Sequence, residues 1–157
     1  MKLLVTGGQG MVGSAVEGKN DEIIHLSRDN CNLLNKKQTH RLFSQLKPDG
    51  VIHCAGKVGG IGGNSNFKGE YFYNNLLINT NVIEASRLAG VKRLVAYLST
   101  CVFPDNVTYP LTIDQIHTGE PHSSNYPYAY AKRMADVQIR AYREQDGLNY
   151  TSIIPSN

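Results

Sequence analysis

The strongest constraint on this chain is a cluster of glycines placed directly behind a short apolar run. Leu3-Leu4-Val5 leads into Thr6-Gly7-Gly8-Gln9-Gly10-Met11-Val12-Gly13. The stretch reads as G-x-G-x-x-G through Gly8, Gly10 and Gly13, and equally as G-x-x-G-x-x-G through Gly7, Gly10 and Gly13. Both readings meet the same need: a sharp turn, a backbone free to approach a pyrophosphate, and close packing of the following helix on the strand. A helix opening here, from Met11 to Val16, directs its free N–H groups at an anion. Gly7, Gly10, Met11, Val12 and Gly13 are therefore candidate dinucleotide contacts. Alone, the glycines describe an ordinary turn as well; their place at the first strand–helix junction of an alternating chain favours the binding site.

That alternation runs the length of the sequence. Glu22 to Leu26 reads as a second strand, and Asn35 as the cap of a helix reaching Leu46, broken by Lys47-Pro48-Asp49-Gly50. Val51 to Ala55 is a third strand, followed by a loop from Gly56 to Asn66. Helical periodicity from Tyr71 to Ala89 ends at Gly90. Leu94 to Leu98 is a fourth strand. Cys101 to Pro127 is irregular and holds four of the six prolines. Tyr128 to Gln145 reads as a helix stopped at Gly147, and Tyr150 to Ile154 as a last strand. Short apolar strands alternating with helices predict an α/β, Rossmann-type doubly wound parallel sheet with helices on both faces. No repeat, low-complexity tract or linker divides residues 1–157, so one domain is expected.

The second strand ends in His25-Leu26-Ser27-Arg28-Asp29. An acid at this point suits a ribose 2′-hydroxyl and an Arg suits a 2′-phosphate. Arg28 comes first, which favours NADP over NAD; a solvated loop charge is the plainer alternative.

Farther on, Tyr128 and Lys132 stand four residues apart, on one face of a helix. An ammonium beside a phenol lowers its pKa and lets it exchange a proton with a carbonyl or alcohol near neutral pH. Ser99 follows the fourth strand, at the carboxyl edge where open α/β sheets bind ligands, and its hydroxyl can orient the same oxygen.

Thr6-Gly7-x-x-Gly10-x-x-Gly13 with Tyr128-x-x-x-Lys132 resembles the extended short-chain dehydrogenase/reductases. Longer blocks resemble that family's branch of GDP-sugar epimerase-reductases: Gly10 to Ala15, Lys57-Val58-Gly59-Gly60-Ile61, Ser99-Thr100-Cys101-Val102-Phe103-Pro104, Ile116-His117-x-Gly119-x-Pro121-His122-x-Ser124-Asn125, Pro127 to Arg133, and Pro155-Ser156-Asn157. The resemblance implies an NADPH-dependent enzyme that epimerises C3 and C5 of GDP-4-keto-6-deoxy-mannose and then reduces C4. By it, Tyr128 is the general acid, Lys132 holds the nicotinamide ribose, Ser99 binds the C4 oxygen and Cys101 is an epimerisation base. From the residues alone, Cys101 reads equally as an inert small hydrophobe. Arg28 falls where the family meets the 2′-phosphate, Asn32 and Leu33 where it holds adenine, and Ala55, Lys57 and Val58 in the loop bordering cofactor and site. Asn75 and Asn79 match positions on the helix behind that loop, where a solvated helix face is the alternative. His117 and His122 stay outside the catalytic set.

The resemblance also implies parts beyond residue 157: a second acid/base, a His, and the domain that grips the GDP-sugar. A truncated piece of a longer enzyme is the favoured reading, ahead of a short protein that lost its substrate half. Extended short-chain enzymes pair through two long helices, so a homodimer through 71–89 and 128–145 is expected. The alternatives are another nucleotide-sugar epimerase or dehydratase of the superfamily and a non-catalytic NADP-binding module; a dehydratase wants a carboxylate pair where Thr100 and Cys101 stand.

The remaining composition excludes more than it identifies. Sixteen basic against thirteen acidic residues leave a scattered +3, which argues against nucleic acid. No apolar run nears the ~20 residues of a membrane span, and the start does not read as a signal peptide. Cysteines at 31, 54 and 101 form neither a zinc pattern nor a disulfide framework and suit the cytosol.

Overall fold

The computed structural model describes residues 1–156; Asn157 and the side chain of Ile61, both within the quoted blocks, lie outside the described residues. Five strands form one parallel sheet: β1 (Lys2–Thr6), β2 (Glu22–Leu26), β3 (Gly50–His53), β4 (Arg93–Tyr97) and β5 (Asn149–Ile153), in the order β2-β1-β3-β4-β5. The winding reverses at β1, which creates a crevice between the carboxyl ends of β1 and β3. The helices are α1 (Lys36–Leu46), α2 (Gly60–Asn66), α3 (Lys68–Leu88) and α4 (Tyr126–Asp146).

The Rossmann-like parallel sheet is the one expected. Its helix layers are unequal. The crossovers β2–α1–β3, β3–α3–β4 and β4–α4–β5 all step the same way along the sheet, so right-handedness puts α1, α3 and α4 on one face. There α3 packs against both α1 and α4. The β1–β2 crossover steps the opposite way, so the same rule puts the segment between those strands on the other face.

Strand residues follow this asymmetry. Leu4, Val51, Leu94 and Tyr150 are register partners across four strands, each 2% exposed or less, beneath the helices. Full burial of such side chains contributes about 1.5–3 kcal/mol each. Their alternates Leu3, Ile52 and Val95 face the other way and are half-buried.

Local chemistry sets the helix ends. The Asn35 side chain accepts from Gln38 N at 3.1 Å and starts α1 where expected. Gly90 (φ 72°) and Gly147 (φ 66°) follow α3 and α4 in the left-handed region open to glycine. Two expectations fail. The helix expected over Met11–Val16 is a single 3-10 turn, Gly13–Ala15, after which Val16 is extended. Gly18, Asn20 and Asp21 follow within a turn and favour a bend over helix propagation. Conversely, the loop expected over Gly56–Asn66 contains α2. Gly59 and Gly63 there lie against the buried Tyr71 hydroxyl, and a Cβ at either would collide with it.

Candidate active site

The crevice is built from the ends of β1, β3 and β4 and the start of α4. At its floor, Gly7 adopts φ +70°, and its missing Cβ would lie 2.9 Å from the Ala55 backbone. A Cβ at Gly13 would collide with the Gly7 carbonyl oxygen. These contacts fold the glycine turn onto itself and onto β3. Among the described residues no group accepts from the N–H of Met11 or Val12, both exposed. With only one 3-10 turn behind them, the anion-binding capacity predicted for a helix N-terminus rests on these turn amides.

Beside the end of β2, Arg28, Asp29, Asn32, Gln38 and Arg41 line a cleft of about 400 Å³. Asn32 is within it. Leu33 is not: it packs on the core, and its carbonyl accepts from Asn81 Nδ2 at 2.8 Å. Arg41, from α1, brings a second guanidinium to the cleft; a charge on a helix with no motif around it gave no sequence signal.

The Ala55–Lys57 loop is pinned from α3. Asn75 Oδ1 accepts from Lys57 N at 2.8 Å, and Asn75 Nδ2 donates to Lys57 O and Tyr71 O. Asn75 and Asn79 are both buried, so the solvated-face alternative fails. The Lys57 ammonium is drawn outward to Glu70. Val58 is exposed on the same loop.

At the start of α4, Tyr128 is brought beside Ser99 and Cys101. Burial pushes the Tyr128 phenol up to about 12; the charge of Cys101 adds to this, and the nearby Ser99 hydroxyl works against it. The Ser99 hydroxyl also accepts from Cys101 N at 3.3 Å. Lys132 is 3% exposed and donates to Tyr97 O at 2.8 Å. Burial draws its ammonium down to about 8, opposed by Cys54. The predicted lowering of the Tyr128 pKa by Lys132 is therefore not what this arrangement gives: burial of the phenol dominates, and the ammonium is spent on a carbonyl.

Cys101 opens on a second cleft of about 220 Å³, which His122 and Asn125 also line. Asn125 Nδ2 donates to Cys101 Sγ at 3.1 Å. Asn125 precedes α4 as its cap yet makes no side-chain capping bond, so its amide serves the sulfur instead. The sequence marked Asn125 only as part of a block. His117 points elsewhere, 3.6 Å from Asp136. Among the described residues no cluster of His, Cys, Asp and Glu could hold a metal ion. No helix there is long and apolar enough to cross a membrane.

A parallel sheet with a glycine turn in its crevice, and a Ser, a Tyr and a Lys brought together from the end of β4 and from α4, is the framework of an α/β dinucleotide-binding domain. The chain belongs to the NAD dependent epimerase/dehydratase family, whose model matches residues 3–157. Among curated proteins it is similar to a GDP-L-fucose synthase of Dictyostelium discoideum, 44% identical over 99% of this chain and 51% of that protein. It is likewise similar to a probable GDP-L-fucose synthase of Drosophila melanogaster, 43% identical over 99% of this chain and 51% of that protein. A crystal structure of a GDP-L-fucose synthetase from Naegleria fowleri bound to NADP superposes with a TM-score of 0.91 at 39% identity, covering 99% of this chain and 50% of the other. The chain spans about half the length of the curated relatives it matches.

Proposed function

We propose that the chain is the cofactor-binding and partial catalytic half of an NADPH-dependent epimerase/reductase that converts GDP-4-keto-6-deoxy-mannose to GDP-L-fucose, residues 1–157 forming one NADP-binding Rossmann domain. The observation that carries this reading is the convergence of Ser99, Cys101 and Tyr128 at the start of α4, in a chain 44% identical to a GDP-L-fucose synthase across 99% of its length.

The residues fit NADP. The glycine turn leaves the N–H groups of Met11 and Val12 free for the pyrophosphate, and a Cβ at Gly10 would press on the Gly7 carbonyl oxygen within that turn. Arg28 would meet the 2′-phosphate, with Arg41 across the same cleft and Asn32 toward the adenine. Ala55 and Lys57 would border the cofactor, and Lys132 would hold the nicotinamide ribose. NADPH, when bound, supplies a hydride.

The chain's own groups handle protons. Cys101 removes a proton alpha to the ketone, because such protons are acidic enough for a positioned thiolate. Ser99 orients the C4 oxygen. Tyr128 delivers a proton to that oxygen as it becomes a hydroxyl; a phenol held protonated at neutral pH is suited to act as an acid.

The test is NADPH oxidation on the keto sugar, by this chain and by one continued to its relatives' full length. Turnover by the longer form, lost in Cys101→Ala, supports the reading. Tight NADPH binding with turnover by neither form contradicts it.

We assign a homodimer through α3 and α4, which lie side by side and leave Phe72, Met134 and Val137 exposed. A monomer by light scattering at high concentration contradicts this. Free Cys31, Cys54 and Cys101 suit a reducing compartment, the cytosol.

A further inference from the structure

His53 on β3 is fully buried, and neither the glycine turn nor the proton-handling residues account for it. Its ring lies between two polar side chains: Nδ1 is 2.7 Å from Thr6 Oγ1, and Nε2 is 3.0 Å from Asn79 Oδ1. Asn79 in turn donates through Nδ2 to Ala131 O at 3.1 Å, and Thr6 Oγ1 accepts from Ala55 N at 3.4 Å.

These contacts assign every proton. A carbonyl only accepts, so Ala131 O fixes the Asn79 amide with Nδ2 toward it and Oδ1 toward the imidazole. Turning the amide over would set two oxygens against each other. Oδ1 needs a donor, so Nε2 carries the ring proton. Burial and the nearby Lys132 charge keep the ring neutral, leaving Nδ1 bare to accept from the Thr6 hydroxyl. Having given its only proton, Thr6 Oγ1 receives the N–H of Ala55. The chain of donors runs one way: Ala55, Thr6, His53, Asn79, Ala131.

Its two ends matter. Thr6 and Ala55 border the glycine turn, since Thr6 immediately precedes Gly7 and Ala55 lies against it. Ala131 immediately precedes Lys132 and lies one helical turn beyond Tyr128. We propose that His53, as the Nε2–H tautomer, is a positioning residue that with Thr6 and Asn79 locks the turn at one end of the crevice to the helix carrying Tyr128 and Lys132 at the other. This rests on the cofactor reading, because its consequence is the binding of a molecule that spans both ends.

The test compares two ligands on the 157-residue chain. NADPH spans the crevice, whereas 2′,5′-ADP lacks the nicotinamide half and meets only the end nearest Arg28. Asn79→Asp keeps the shape and the acceptor for His53 but loses the donor to Ala131; His53→Leu breaks both links. Each is expected to weaken NADPH about tenfold while leaving 2′,5′-ADP within about twofold. Equal loss of both ligands reduces His53 to a structural role and overturns the proposal, as does no loss of either. Nitrogen NMR of the His53 ring tests the proton assignment without any ligand: a protonated Nε2 and bare Nδ1 from pH 8 to 5 are expected, and an Nδ1–H tautomer overturns it. Failure of the unaltered chain to bind either ligand overturns the cofactor reading and the positioning role together, while leaving the tautomer result to stand.

Discussion

Lys132 and Tyr97 are joined by a 2.8 Å hydrogen bond from the lysine amine to the strand carbonyl, with the lysine almost completely buried. The bond holds an ionisable group at the end of β4, where it is costly to charge. Its pKa falls from 10.5 to about 8 by burial. Above pH 8 the folded chain therefore binds fewer protons than the unfolded one, so stability rises with pH from about 8 to 10.5.

Lys132→Met follows directly. Removing a buried, unpaired charge is expected to stabilise the fold by about 1–3 kcal/mol at pH 7 and to flatten the rise of stability above pH 8. NADPH affinity should fall about tenfold or more as the charge-assisted bond to the ribose is lost. Urea unfolding at several pH values, with a cofactor titration, checks both. A destabilised variant with unchanged affinity contradicts the site.

Arg28 carries the preference for a 2′-phosphate. Arg28→Ala is expected to weaken NADPH about 10- to 100-fold while moving NADH less than about twofold. Fluorescence titration with each nucleotide decides it. Equal losses would make Arg28 a general charge and return the cofactor preference to NAD.

The glycine turn is tested by two alanines. Gly13→Ala drives a methyl into the Gly7 carbonyl, and is expected to destabilise by at least about 2 kcal/mol and abolish NADPH binding. Gly69→Ala, in the first turn of α3 with no atom within 4 Å of the new Cβ, is expected to stabilise by up to about 1 kcal/mol. Thermal melts separate them.

His53 makes the fold acid-sensitive. Burial, then the Lys132 charge, lower its pKa from 6.5 to about 3, while its bond to Asn79 opposes them. The unfolded chain thus takes up a proton the folded chain refuses, and stability is lost as pH falls from about 6.5 toward 3. The loss from this one residue is on the order of 5 kcal/mol across that whole range. In His53→Leu that share of the pH dependence should vanish in urea unfolding between pH 7 and 4; an unchanged slope contradicts it.

What the sequence made legible was local chemistry. Asn35 starts α1 and Gly147 stops α4 because caps and left-handed glycines act within a turn of themselves. The missing helix after Gly13 shows the limit: the glycine motif implied a partner element that Gly18 and Asn20 do not support. Asn79 shows another. Period alone could not say whether α3 turned it to water or inward, and only the packing of α3 on β3 and α4 joins it to His53 and Ala131. Likewise, the Tyr128–Lys132 spacing placed both groups on one helix face but could not show that burial would outweigh their mutual charge effect.

The most direct test of the account is a titration of the chain with NADPH beside its Arg28→Ala and Lys132→Met variants. Saturable binding of one NADPH per chain is expected, weakened at the phosphate end by the first change and at the ribose end by the second. Absence of saturable binding, or binding indifferent to both substitutions, would contradict it.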